Sequence, residues 1–236
     1  MNNKGNLFLI PSAIAVDTQE LIVPPQVKRS LVDIHHFLAE DIRTARRYLA
    51  SLKIYEKVES LSFSVLNKDT EDSELPALFK PVYSGNHMGV LSESGCPGIA
   101  DPGALAVKFA HANGIKVIPL VGPSAIFLSL MASGLNGQHF AFQGYLPIQS
   151  KEAAKAIKDL EKESRIRNQT QIFIETPYRN NTLFANLVRN LMPETQLCLA
   201  VDVTGEQEFI LTQSVKKWRL QSIDLPKNPA VFLFLA

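Results

Sequence analysis

Leu91 to Gly103 reads LSESGCPGIADPG, thirteen residues that hold three glycines and two prolines. Apolar residues from Gly89 to Leu91 run into it, which predicts a strand that ends at a tight turn. A helix is expected to follow. Ala104 to Asn113 is periodic, Pro102 sits in the favoured first turn, and Gly114 is placed to close the helix in the left-handed conformation. Lys116 to Leu120 then predicts the next strand, which completes a strand, helix, strand unit of the parallel α/β kind. A loop of this composition at a helix N-terminus presents main-chain N–H groups and suits a ligand. An ordinary irregular connection is the competing reading. The stretch has neither the GxGxxG spacing of dinucleotide folds nor the GK[ST] ending of phosphate-binding loops.

Outward from that unit, Asn6 to Ile10 (NLFLI) predicts a buried strand that Pro11 ends, and Lys28 to Ala39 reads as helix and short strand. Ala45, Tyr48, Leu49 and Leu52 fall at helical spacing in an amphipathic helix from Asp41 to Leu52. Ser60 to Leu75, polar and acidic, reads as a loop. After Ser124 an apolar helix is expected to run to Gly134, with a strand over His139 to Tyr145 and a charged helix over Lys151 to Glu163. Strands are predicted at Gln171 to Glu175, Leu197 to Val203, Phe209 to Leu211 and Val231 to Leu235, with a helix over Thr182 to Leu191. The best division is an α/β lobe over residues 1–118 and a second over 119–236, with the site expected in the cleft between them.

Composition narrows the class. The chain has 236 residues, 46% hydrophobic and 20% charged, with net charge +1. That near balance excludes a strong overall field, so a polyanion would have to meet a local patch. Cys96 and Cys198 are far apart and lack CxxC spacing, which argues against a disulfide framework or structural zinc and for a reducing cytosol. Val117 to Gly134 carries no charge, yet Pro119, Gly122, Pro123 and Ser124 divide it, so a membrane span is not expected. His35 and His36 are neighbours that point different ways in regular structure, a poor metal pair.

LSESGCPGIADPG resembles the VSDAGTPxISDPG segment of the ribosomal RNA 2′-O-methyltransferase branch of the tetrapyrrole methylase superfamily. Ser92, Gly95, Pro97, Ile99, Asp101, Pro102 and Gly103 match. Ala39-Glu40-Asp41-Ile42-Arg43-Thr44 is similar to its AAEDTR, Leu120 to Ala125 to its PLPGPCA, and Ala132 to Leu135 to its SAAGL. Phe142 to Pro147 and Ile172 to Arg179 are similar to FEGFLP and FYESTHR, in the same order along nearly the whole chain.

The resemblance implies a two-lobed α/β methyltransferase, each lobe a mixed or mostly parallel sheet flanked by helices, with the active-site cleft between lobes. It implies a homodimer, S-adenosyl-L-methionine as cofactor, no metal, and a ribose 2′-hydroxyl of ribosomal RNA as acceptor. By motif position the cofactor is expected against Pro11, Ser92, Glu93, Ser94, Gly95, Cys96, Pro97, Ser124 and Ala125. Glu175, Thr176, Val201, Asn228, Pro229 and Ala230 complete that set. Substrate contacts are expected at Ser12, Glu40, Arg43, Asp101 and Arg179, and catalytic roles at Asp41, Arg43 and Glu175. Pro11-Ser12-Ala13-Ile14-Ala15-Val16 stands where the family has PTPIGN, and Tyr178 where it has His. These departures keep two alternatives open: a tetrapyrrole or other small-molecule acceptor, and a non-catalytic cofactor- or RNA-binding homologue.

Methyl transfer from a sulfonium asks the protein to position two reactants and exclude water, and a hydroxyl acceptor adds the need for a base. Glu40, Asp41, Asp101 and Glu175 are the carboxylate candidates. Each also has a structural reading. Asp101 and Asp41 are placed to cap the helices they precede, and Glu175 to pair with Arg179. Arg43, Arg46 and Arg47 suit phosphate or a solvated surface equally. Cys96, where the family has Thr, reads as a small residue beside the cofactor.

Overall fold

A computed structural model describes residues 4–236, in two units that divide between Ser124 and Ala125. The first is built on a five-stranded sheet of β1 (Leu7–Ile10), β2 (Ile34–Ala39), β3 (Ser62–Val65), β4 (His87–Leu91) and β5 (Val117–Pro119). Their order is β3-β2-β4-β1-β5 and every pairing is parallel. LFLI of β1 and MGVL of β4, two of the three inner strands, are continuous apolar runs because a parallel sheet is covered on both faces.

The covering helices divide cleanly. Val27 and Leu31 of α2 (Pro25–Leu31), with Ala45 and Leu49 of α3 (Ile42–Ser51), pack on Ile10, Ile34, Phe37 and Leu91. On the opposite face lie Leu75 of α4 (Leu75–Leu78), Val82 of α5 (Lys80–Tyr83), and Ala106 and Ala110 of α6 (Gly103–Ala112). These pack on Leu7, Leu38, Met88 and Val90. The connection from β1 to β2, through α1 (Gln19–Ile22) and α2, therefore crosses one face, and that from β4 to β5 crosses the other. Adjacent β1 and β4 send their following segments apart, and such a reversal leaves a crevice outside the carboxyl ends of the strands.

The second unit carries β6 (Phe140–Phe142), β7 (Thr170–Glu175), β8 (Gln196–Val201), β9 (Phe209–Ser214) and β10 (Ala230–Leu235), in the order β6-β7-β10-β8-β9. Only β6 and β7 are parallel; β10 runs antiparallel to both β7 and β8, and β8 to β9. Its core gathers Phe173, Phe184, Trp218, Phe232 and Phe234 with Ile157 and Leu187. Those residues come from the strands, from α8 (Ser150–Arg167), α9 (Asn180–Asn190) and α10 (Val215–Trp218). The Trp218 indole N–H donates to Leu197 O at 2.8 Å, so its one polar atom is satisfied. α7 (Ala125–Ser133) lies against β8, β9 and β10.

One sequence reading changes and another holds. The stretch read as a loop from Ser60 to Leu75 contains β3, where Phe63 stacks on Phe37 of β2 at 5.5 Å. The uncharged run from Val117 resolves into β5, a turn and α7. Among the described residues no helix is long and apolar enough to cross a membrane.

Candidate functional site

The carboxyl edge of the first sheet collects the motif residues, because parallel strands all deliver their following loops to the same edge. Pro11 and Ser12 follow β1, Glu40 and Asp41 follow β2, Ser92 to Asp101 follow β4, and Leu120 to Ser124 follow β5. Three of these loops touch. Ser12 N–H donates to Gly95 O at 2.9 Å, and the Cys96 thiol donates to Pro123 O at 3.3 Å. Gly122 lies so close to Pro11 that a Cβ would stand 2.1 Å from the proline Cβ.

The loop after β4 is shaped by its own backbone. Gly95 and Gly98 have φ of 73° and 82°, in the region glycine enters without a Cβ penalty. The Ser92 hydroxyl donates to Ser94 O at 2.9 Å and closes the first turn. Asp101 ties the second half: its Oδ1 accepts from Gly98 N at 2.6 Å and from Gly103 N at 2.7 Å. Gly103 opens α6, so the capping reading of Asp101 describes Oδ1. Its Oδ2 is buried without a hydrogen-bond partner, in a small depression lined by Ala39, Glu40, Leu66, Val90, Ser92 and Asp101.

Glu40 and Asp41 differ although they are neighbours. Asp41 caps α3, its Oδ1 accepting Thr44 N–H at 2.6 Å, and that bond holds its carboxyl below the usual range with Arg43 and Arg47 assisting. For Glu40 the shift is upward. Partial desolvation is the main cause, and the negative charges of Glu93 and Asp101 add to it. Tyr48, on the inner face of α3, donates its hydroxyl to Pro11 O at 2.7 Å and fixes the loop after β1. Arg43 projects from the exposed side of α3.

The remaining candidates lie on one edge of the second sheet, where Ala230 stands opposite Glu175 of β7 and Val201 of β8. Thr176 follows Glu175, and Asn228 and Pro229 lead into β10; Ala125 opens α7. Glu175 is buried. Its Oε1 accepts Thr176 N–H at 2.7 Å, and Arg179 Nη2 stands 3.1 Å from Oε2 at an angle that makes an ion pair without a hydrogen bond.

Asn180 is a residue that sequence reading passed over. It is 1% exposed, donates to Asn228 O at 2.8 Å, and leaves Oδ1 unpartnered. The available signal was its place on the core-facing row Asn180, Leu183, Phe184, Leu187 of α9, where an amide is unexpected without a partner.

Both edges are lined by small residues, main-chain groups and carboxylates. Ser92 to Gly103 contains no lysine or arginine, so the loop has no side-chain cation with which to hold a phosphate.

No protein-family profile matches the chain. Over 220 residues it is 30% identical to the ribosomal RNA small subunit methyltransferase I of Pasteurella multocida (strain Pm70), covering 93% of this chain and 74% of that protein. The protein of the same name from Escherichia coli O157:H7 is 30% identical over 212 residues, 89% of this chain and 69% of that one. From Haemophilus influenzae (strain ATCC 51907 / DSM 11121 / KW20 / Rd) the figures are 29% over 232 residues, 97% and 78%. Among solved structures, the methyltransferase CobJ aligns with TM-score 0.62 at 16% identity, over 97% of this chain and 93% of that one. A uroporphyrin-III-C-methyltransferase from Thermus thermophilus aligns at 0.57 and 16%, over 98% and 92%. At that identity the likeness is one of fold.

Proposed function

The chain belongs to the ribosomal RNA small subunit methyltransferase I family, within the tetrapyrrole methylases, and from that premise we propose that it methylates a ribose 2′-hydroxyl of small-subunit ribosomal RNA with S-adenosyl-L-methionine. The observation that carries this reading is the meeting of the loops after β1, β4 and β5 at Ser12, Gly95, Cys96 and Pro123.

The residues present fit the cofactor. Ser12 Oγ is buried without a partner beside Gly95, and Asn180 Oδ1 is likewise unpartnered on the edge of the second sheet. Such atoms suit hydroxyl and amino groups, and the lack of lysine and arginine in the loop suits a ligand that carries no phosphate. When bound, the cofactor supplies an electrophilic methyl group on a sulfonium. Pro11, Ser92 to Pro97, Ser124 and Ala125 would hold it in this reading, with Glu175, Thr176, Val201 and Asn228 to Ala230, and the unpartnered Oγ of Ser12, expected on the substrate side, joins them. The loops order it and keep water away from the acceptor.

Proton removal from the hydroxyl falls to Glu40. Asp41 is engaged by Thr44, Oδ1 of Asp101 by two N–H groups, and Glu175 by Thr176 and Arg179. Glu40 makes no hydrogen bond among the described residues, and its upward shift makes it the stronger base of the pair after β2. Homodimer assembly and a cytoplasmic setting complete the reading, supported by the family resemblance and by where ribosomal RNA is found.

Incubation with methyl-labelled cofactor and, in parallel, undermodified small-subunit rRNA or a panel of tetrapyrroles tests the proposal. Label in a 2′-O-methyl nucleotide is expected; label in a tetrapyrrole and none in RNA would replace it with the small-molecule reading.

A further inference from the structure

α3 carries a second feature beside the site. Its inner residues Ala45 and Leu49, with the C-cap Leu52, are buried, which turns Arg43, Arg46 and Arg47 outward, and all three are exposed. From Ile42 to Lys57 the chain holds these arginines with Lys53 and Lys57, against Glu56 alone. In a protein of net charge +1 this is a strong local excess. Among the described residues none of the three arginines is within ion-pair distance of a carboxylate. Arg43 and Arg47 assist the ionisation of Asp41, which is already engaged as the α3 cap.

Arg46 is also held in place. Its guanidinium lies 5.2 Å from the Phe63 ring centroid, and Phe63 stacks on Phe37, which is 1% exposed. A guanidinium laid on an aromatic face keeps its outward N–H groups free while losing side-chain freedom in advance, an arrangement suited to forked binding of phosphate. α3 begins directly after Glu40 and Asp41, so the row of arginines leads away from the sheet edge where the acceptor hydroxyl is proposed to react.

We propose that the outer face of α3 is a phosphate track that holds the RNA backbone flanking the methylated nucleotide, with Arg46 and Arg47 as contacts beyond the site and Arg43 nearest to it. This rests on RNA being the acceptor. A negatively charged backbone binding here releases counterions, so affinity falls with salt by about 0.7 logarithmic units of K per logarithmic unit of salt for each single-strand contact.

Fluorescence anisotropy of the full chain with a labelled fragment of small-subunit rRNA, from about 50 to about 300 mM KCl, reads that slope. Arg46→Ala/Arg47→Ala should lower the slope by about 1.4 and weaken binding by about tenfold at about 150 mM. Arg46→Glu/Arg47→Glu should weaken it further, and Arg46→Lys/Arg47→Lys should keep most of the slope. Circular dichroism melting checks that the variants fold. Wild-type affinity and slope in both the alanine and glutamate variants would overturn the track while leaving the RNA reading intact. Failure of the wild-type chain to bind the fragment even at the lowest salt would remove both.

Discussion

The thiol of Cys96 lies 3.3 Å from the carbonyl oxygen of Pro123, joining the loop after β4 to the turn after β5. Burial, with the charge of Asp101 adding to it, pushes the thiol above its usual 9.0. Cys96 should therefore be a slow nucleophile at neutral pH, since the thiolate is the reactive form. In a Cys198→Ala background, iodoacetamide labelling should rise with a midpoint above pH 9; a midpoint near neutrality would mean an activated thiol instead.

Gly122 and Pro11 approach so closely that an added methyl has no space. The Cβ of Gly122→Ala would sit 2.1 Å and 2.2 Å from two ring carbons of Pro11. Overpacking of this kind costs about 1–3 kcal/mol, and the strain falls on the two turns proposed to hold the cofactor. Calorimetry with S-adenosylhomocysteine should show at least about tenfold weaker binding. Affinity equal to wild type would separate that contact from the cofactor site.

Glu40 and Asp41 give opposite pH signatures. Because the folded state raises the carboxyl pKa of Glu40, its relative stabilisation is present below the ordinary 4.5 and is lost as pH rises through the higher folded value. Glu40→Gln should thus raise the melting temperature slightly at pH 7, with the gain shrinking toward pH 4, while methyl transfer falls at least about tenfold. For Asp41 the folded pKa is lowered, so the stability it supplies is present above 3.8 and is lost as pH falls through the folded value. Melting curves of Glu40→Gln and Asp41→Asn across that range read the two signs directly.

Arg179 is the counter-ion of a buried carboxylate. The Glu175 side chain is 1% exposed against 31% for Arg179. Arg179→Ala leaves that charge without its partner and should cost about 3 kcal/mol in urea unfolding, near the lower end for a broken buried pair. Adding Glu175→Gln should recover part of the loss. A double variant no more stable than Arg179→Ala would show that the guanidinium acts by packing.

What could be read from sequence is what is written locally. Pro11, Gly114 and the Asp41 cap mark their element ends through their own chemistry, and LSESGCPGIADPG announces a loop before a helix. β3 escapes because Ser62-Phe63-Ser64-Val65 is only four residues at a sheet edge inside a polar stretch. α4 and α5 are four residues each, with Pro76 and Pro81 in their first turns, and neither spans enough residues to show a period. The motifs identify the site residues one loop at a time. The contact of Cys96 with Pro123 and the alignment of Glu175, Ala230 and Val201 are set by strand order, which no local pattern contains.

That strand order also governs how the second unit is born. β7 and β8 each leave the ribosome before the strand that must lie between them, and they share no ladder in its absence. A nascent chain that stops short of β10 presents two unclosed sheet edges, an invitation to intermolecular pairing. A premature stop codon ahead of Ala230 is therefore expected to yield an aggregating polypeptide, even though every motif residue of the first unit has already been translated.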